Sequence, residues 1–166
     1  MAMTPTPKLN LETLGAAASE VIQLLKGYGP HVGSREMLLD PILFGFLSGR
    51  FRHMKRQHHI NGPSSRPKRI DYRYGTYNPV VIEFAVRPPK GGSQLYGSQN
   101  RAELDKLIQV PASKARYRVL LLIDLHRKPL QQNALEANYS KVGKPASSAT
   151  VSVLYVHRSA SYDFSW

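Results

Sequence analysis

The 166-residue chain contains no cysteine and few acidic residues. The absence of cysteine excludes disulfides and cysteine-ligated zinc. Only 11 Asp and Glu residues stand against 23 Lys and Arg residues, which gives a formal net charge of +12. No apolar run approaches the roughly 20 residues of a membrane span, and the N-terminus lacks a signal-peptide core. We therefore expect a soluble, cytoplasmic protein without membrane association, whose charge favours a polyanionic partner such as nucleic acid.

Apolar spacing and turn residues divide the chain into predicted elements. Residues 1–8 are expected to form a flexible tail and 9–166 a single domain, since this length suits one core. Helical spacing predicts helices over 9–26 and 34–51, the second broken or kinked by Pro41 with its apolar residues in the core. The remaining elements are a basic loop over 50–68, a hairpin over 69–87, a helix over 99–109, a buried strand over 118–125, an irregular segment over 127–148 and a strand over 150–157. This order predicts an α/β fold with a mixed sheet.

The hairpin carries two carboxylates in an otherwise basic region. If its turn centres on Tyr77, Asp71 and Glu83 are directly opposed, with Cβ atoms about 5 Å apart. Opposed carboxylates repel unless a positive charge lies between them, and Mg²⁺ commonly uses one or two protein carboxylates. The spacing therefore indicates a metal site. The alternative is a pair of solvated acids that are balanced by Arg69, Arg73 or Arg87.

The order of elements resembles that of the PD-(D/E)xK superfamily of restriction-endonuclease-like nucleases. The order is a helical start, a hairpin with Asp and then Glu, a helix and an apolar strand. The resemblance spans about residues 34–125. It implies a restriction-endonuclease-like mixed β-sheet flanked by helices, and hydrolysis of phosphodiester bonds that depends on Mg²⁺ or Mn²⁺. Asp71, Glu83 and the Phe84 carbonyl would hold the metal. Glu36, on an early helix, would join the site as a further catalytic acid.

The sequence departs from the family pattern at two positions. Ile70 precedes the aspartate where the family has proline, and Ala85 stands where the family has a catalytic lysine. Lysines that have migrated to a neighbouring element are known in the family. Lys106 is the preferred replacement because a helix holds it more rigidly than a glycine-rich loop holds Lys90, and Arg87 is a poor base.

Basic residues lead into and out of the hairpin, and we expect them to contact the phosphate backbone of nucleic acid. This set comprises Arg52, Lys55, Arg56, Arg66, Lys68, Arg69, Arg73, Arg87 and Lys90.

The predicted function is a metal-dependent endonuclease, a hydrolase that acts on DNA in preference to RNA. One alternative is a non-catalytic nucleic-acid-binding domain on a degenerate nuclease fold. Another is a basic toxin-type domain that binds an acidic protein partner. A homodimer of this chain is a further possible assembly.

Overall fold

In the computed structural model, the described residues form one six-stranded mixed sheet and four helices. The structure describes residues 8–26, 36–60, 68–77, 79–90, 94–144 and 147–166, without the side chains of 57–60 and 68. The predicted mixed α/β architecture is confirmed. Most of the predicted tail lies outside the described residues. Within the described ranges, no helix is long and apolar enough to cross a membrane.

The strands follow one another across the sheet in chain order. The helices are α1 (Leu11–Leu25), α2 (Glu36–Arg50), α3 (Arg101–Ile108) and α4 (Gln132–Ser140). The strands are β1 (Met54–Ile60), β2 (Lys68–Tyr74), β3 (Val80–Arg87), β4 (Tyr117–Asp124), β5 (Ser152–His157) and β6 (Ala160–Ser165). Pairing is antiparallel for β1–β2, β2–β3 and β5–β6, and parallel for β3–β4 and β4–β5.

Side chains that alternate along the strands build one apolar core on each face of the sheet. Tyr72, Ile82 and Phe84 pack with α1 and α2 on one face. Ala85 and Leu120 pack with α3 and α4 on the other. The central strand β4 is buried on both faces, as its continuous apolar run predicts.

Three elements differ from the sequence expectations. Residues 54–60 form strand β1 rather than a loop, because a charged strand can pair at the edge of a sheet when one face is left uncovered. Helix α4 lies inside the segment predicted to be irregular. It was missed because it buries only Leu135 and Tyr139. Strand β6 was missed because its residues alternate only between partly buried and exposed.

Helix α2 continues through Pro41 instead of ending there. Its core residues are Leu39, Leu43 and Leu47, spaced one turn apart. The prediction that all its apolar residues pack as core is wrong, since exposed fractions reach 74% at Met37, 47% at Leu38 and 38% at Ile42. A single helix has room for one buried stripe, and the leucines occupy it.

A buried polar network closes the carboxyl ends of the parallel strands. Arg87 on β3 lies beside Asp124 on β4. Asp124 Oδ2 accepts hydrogen bonds from Arg87 Nη1 (3.1 Å) and from the Tyr155 hydroxyl (2.5 Å). Arg87 also donates to the Lys128 carbonyl at 3.1 Å, and the His126 amide donates to Asp124 Oδ1 at 2.9 Å. The network therefore fixes the chain that follows β4.

Replacing Asp124 with alanine should lower the free energy of unfolding by about 3–5 kcal/mol, because Arg87 is left buried without its counter-charge. Urea denaturation measures the change. Asp105→Ala is the matched control, since its ion pair with Arg101 is more than a third exposed and should contribute less than about 1 kcal/mol. Equal losses in the two variants would contradict the structural role given to Asp124.

Candidate metal centre

The β2–β3 hairpin brings Asp71 and Glu83 to the same level of the sheet. The paired residues are Tyr72 with Ile82, Arg73 with Val81 and Tyr74 with Val80. This register confirms a turn centred on Tyr77, and its next position places Asp71 opposite Glu83. Regular pairing stops at Tyr72. Beyond it, the Phe84 amide donates a hydrogen bond to Asp71 Oδ2 at 3.1 Å. The aspartate side chain thus takes the place of a β2 backbone acceptor.

The regular alternation of side chains along β2 is interrupted at Asp71. Ile70 packs in the core beside α3 and α4, whereas Tyr72 packs in the core beside α1 and α2. Two residues so spaced share a face in a regular strand, so alternation is broken between them. The backbone N–H and C=O groups of one residue in a strand point toward the same neighbouring strand. The Phe84 carbonyl therefore faces the side on which Asp71 lies.

Glu83 lies buried beneath α3, with only 1% of its surface exposed. Lys106, on α3, places Nζ 2.9 Å from Glu83 Oε2 and 3.1 Å from Glu103 Oε2. Leu104 and Leu107, which flank Lys106 in the sequence, are fully buried against the sheet and fix the helix there. A lysine ammonium thus meets Glu83 although the strand itself carries Ala85.

The two other replacements considered for the missing lysine lie elsewhere. Arg87 is buried in its ion pair with Asp124. Lys90 is exposed in the segment that follows β3. Of the three candidates, only Lys106 forms a described ion pair with Glu83.

The carboxyl group of Glu83 is incompletely compensated. Burial raises its pKa to about 9, assisted by the charge of Asp71, against the opposing effect of Lys106. Glu83 Oε1 is buried and receives no hydrogen bond from any donor in the described residues. Burial therefore favours the protonated form of Glu83 when no cation is bound, and a bound cation would favour its carboxylate.

Two further acids surround the pair. Glu36, in the first turn of α2, is exposed on one side, yet partial burial and the charges of Asp71 and Glu103 raise its pKa to about 7. Glu103 was not identified from the sequence, although its position three residues before Lys106 places both on one helix face. Burial lowers the pKa of Lys106, but the charges of Glu83 and Glu103 outweigh this effect and raise it overall.

The residues present fit a divalent cation. In the described part of the chain, no group of three His, Asp or Glu side chains is arranged to hold a metal ion. Mg²⁺ does not require three, because it commonly combines one or two carboxylates with waters. The uncompensated Glu83 Oε1 beside Asp71 supplies the observation that favours a cation.

Packing behind the carboxylates holds their strands in place. The rings of Tyr72 and Phe84 stack with centroids 5.5 Å apart and an interplanar angle of 3°. The Tyr72 hydroxyl donates to Asp40 Oδ1 at 2.6 Å, and Asp40 also pairs with Arg56. Each ring follows one of the two carboxylates in sequence. The stack therefore restrains the positions of Asp71 and Glu83.

The predicted nucleic-acid contacts are distributed over both faces of the sheet. Lys55 pairs with Arg73 across β1 and β2, and Arg73 lies opposite Val81, which belongs to the α3-side core. Both basic residues therefore lie on the face that carries Glu83. Arg52, Arg69 and Lys90 are exposed.

Two members of the predicted set do not add exposed charge to that face, and the side chains of two others lie outside the described part of the chain. Arg56 pairs with Asp40 on the opposite face, and Arg87 is buried. Arg66 lies outside the described residues, as does the side chain of Lys68.

The raised pKa of Glu83 predicts a pH-dependent stability. Between about pH 4.5 and 9, the folded protein holds a proton that the unfolded chain has lost, so rising pH favours unfolding. Relative to wild type, Glu83→Gln should become progressively more stable across this range. Urea unfolding in EDTA at several pH values measures the difference. Glu12→Gln, at an exposed position of α1, is the control. A difference that does not change with pH would contradict the assignment.

Comparison with known proteins leaves the family open. No protein-family model matches the chain, and no curated protein is significantly similar to it. A solved structure titled "Crystal structure of SSO0001" shares 11% sequence identity with a TM-score of 0.35, and the match covers 99% of this chain and 69% of that one. A likeness at this level carries no argument about fold or activity. Function must therefore be inferred from the geometry of the chain itself.

Proposed function

We propose that the protein is a metal-dependent nuclease of the PD-(D/E)xK type that hydrolyses phosphodiester bonds, in DNA in preference to RNA. The observation that carries the proposal is the contact of Lys106 Nζ with Glu83 Oε2, at 2.9 Å, beside Asp71. Two carboxylates and one ammonium are the charged groups that this chemistry requires. The lysine comes from helix α3 instead of strand β3.

The order of elements supports the same proposal. Helix α2 precedes an antiparallel meander of β1, β2 and β3, and α3 connects this meander to β4, which runs parallel to β3. The carboxylates lie on the second and third strands, and the lysine lies on the helix that follows. This arrangement agrees with the restriction-endonuclease-like sheet that the sequence resemblance implies.

Asp71, Glu83 and the carbonyl of Phe84 would hold Mg²⁺ or Mn²⁺. When bound, the ion lowers the pKa of a coordinated water and neutralises charge at the scissile phosphate. Asp71 and Glu83 contribute fixed negative charge, and the Phe84 amide keeps the Asp71 carboxylate oriented. Lys106 offers its ammonium to the attacking water or to a phosphate oxygen. Glu103 holds Lys106 from the other side, at 3.1 Å, and Glu36 adds negative charge at the rim.

Substrate would approach along the uncovered part of the same face. Lys55 and Arg73 sit side by side on β1 and β2, next to the strand that carries Glu83. Contacts of this kind bind the phosphate backbone and give affinity without sequence reading. The basic face would therefore present a phosphodiester bond to the two carboxylates.

Asp71→Ala and Glu83→Ala should each reduce plasmid cleavage in Mg²⁺ at least about 100-fold, because each removes a ligand of the metal ion that neutralises charge at the scissile phosphate. Lys106→Ala should lose a similar factor while binding DNA nearly as well as wild type. Lys141→Ala is the control, since it removes an equal charge from an exposed position at the end of α4. Cleavage is measured with Mg²⁺, with Mn²⁺ and with EDTA, on DNA and on RNA.

Two results would decide against this nuclease. The first is an absence of metal-dependent cleavage, and the second is wild-type cleavage by both carboxylate variants. DNA binding without cleavage would favour the alternative of a non-catalytic binding domain, which Ala85 at the usual lysine position also favours. Unchanged cleavage by Lys106→Ala would remove only the lysine from the site.

Binding to a short DNA duplex should weaken steeply as salt rises, because the contacts are to phosphates. The double variant Lys55→Ala/Arg73→Ala should reduce the slope of log affinity against log salt by about 2, at roughly one unit for each phosphate contact. Lys141→Ala, at the exposed end of α4, should leave the slope unchanged. Fluorescence anisotropy in EDTA measures all three. Binding that is insensitive to salt would contradict the proposed face.

A further inference from the structure

A cleft of about 850 Å³ lies where β4 and β5 begin, beside the C-terminal turn of α3. None of the described residues that line it is an aspartate or a glutamate. Its polar lining consists mainly of two arginines and four serine or threonine residues, namely Arg116, Arg118, Ser147, Ser148, Thr150 and Ser152. Among the described lining residues, Arg118 supplies positive charge, and the serine and threonine side chains supply hydroxyl donors.

Arg118 is the key residue of this cleft. Its Nη2 donates a hydrogen bond to the Val110 carbonyl at 2.8 Å, which orients the guanidinium. Its Nε is buried and has no hydrogen-bond partner in the described part of the chain. Within the same residues, no ion pair includes Arg118. Partial burial lowers the pKa of the guanidinium. The positive charge is thus partly removed from water and lacks an anion.

We infer that this cleft binds a phosphate group. A guanidinium matches the geometry of a phosphate by donating two parallel hydrogen bonds. The serine and threonine hydroxyls supply further donors to the remaining phosphate oxygens. Either a nucleic-acid strand or a free phosphate anion could provide this group, since both present the same oxygens.

The described lining of the inferred phosphate site includes none of the three residues Asp71, Glu83 and Lys106. Arg118 pairs in register with Val81, two residues before Glu83 on β3. Neither Asp71 nor Glu83 lines the cleft. Phosphate should therefore bind without metal and in a protein that cannot cleave, so the site can be tested independently of the proposed nuclease activity.

Isothermal titration of the full chain with sodium phosphate, in EDTA and at constant ionic strength, tests the inference. Wild type should show saturable binding at one site. Arg118→Gln should weaken it about ten-fold or more, since it removes a charged hydrogen-bond donor. Lys114→Gln is the matched control, because it removes the same charge from an exposed residue near the cleft that does not line it. This control should bind within about two-fold of wild type.

Two more variants distinguish a specific loss of phosphate binding from misfolding. Arg118→Lys keeps the charge but loses the planar fork, and should bind more weakly than wild type. Thr150→Val leaves Arg118 intact and should also weaken binding. The inference is overturned if wild type shows no saturable phosphate binding, or if Arg118→Gln binds as well as Lys114→Gln.

Competition with a short DNA strand in EDTA distinguishes the two sources of phosphate. A strand that displaces phosphate from wild type, but binds less well to Arg118→Gln, assigns the group to nucleic acid. Phosphate binding that the strand does not displace assigns it to the free anion. Both results support the site. Asp71→Ala should bind phosphate like wild type, so a failure of the cleft and a failure of the nuclease are detected separately.

Discussion

The repulsion between Asp71 and Glu83 is the constraint on which the rest of the site depends. Two carboxylates from neighbouring strands converge at a place where Glu83 is almost completely buried. Isolated buried charge is costly, so the pair must bind a proton, a cation or both. Lys106 supplies one cation, yet among the described residues Glu83 Oε1 has no hydrogen-bond partner. The site is therefore built to accept further positive charge.

The surrounding fold resists the relaxation that would otherwise relieve this repulsion. The Phe84 amide holds Asp71, and the stacked rings of Tyr72 and Phe84 hold the two strands together behind the carboxylates. On the other face, α3 is anchored by buried leucines on both sides of Lys106. Because each charged group is fixed by a separate set of contacts, their unfavourable arrangement persists in the folded state. Such retained electrostatic strain is typical of sites that perform chemistry.

The sequence predicted the hairpin well because its register follows from local turn geometry. Once the turn centres on Tyr77, the opposition of Asp71 and Glu83 needs no information from the rest of the chain. The buried strand β4 was equally accessible, since a long apolar run leaves little choice. Lys106 could be ranked first from the rigidity of its helix, but its contact with Glu83 depends on how α3 packs, which spacing does not encode.

Other features required tertiary information. Strand β1 reads as a basic loop because charged residues occupy successive positions, Lys55 and Arg56, and only its pairing with β2 identifies it. In the sequence, Arg87 resembles a surface cation. In the fold it is buried, because it forms an ion pair with Asp124, which lies 37 residues further along the chain. Glu103 belongs to the site only because the fold places it next to Lys106 and close to Glu36. These assignments depend on contacts between elements that are distant along the chain.

The position of Ala85 explains why the lysine comes from a helix. Ala85 lies on the same face as Glu83 and is buried in the core beneath α3. A lysine there would force a long charged side chain into a packed apolar layer, at a cost that its ion pair with Glu83 would have to offset. A small residue instead lets α3 lie close to the sheet, and the partly exposed Lys106 reaches Glu83 from above. The ammonium then keeps access to solvent on one side, where a substrate phosphate would arrive.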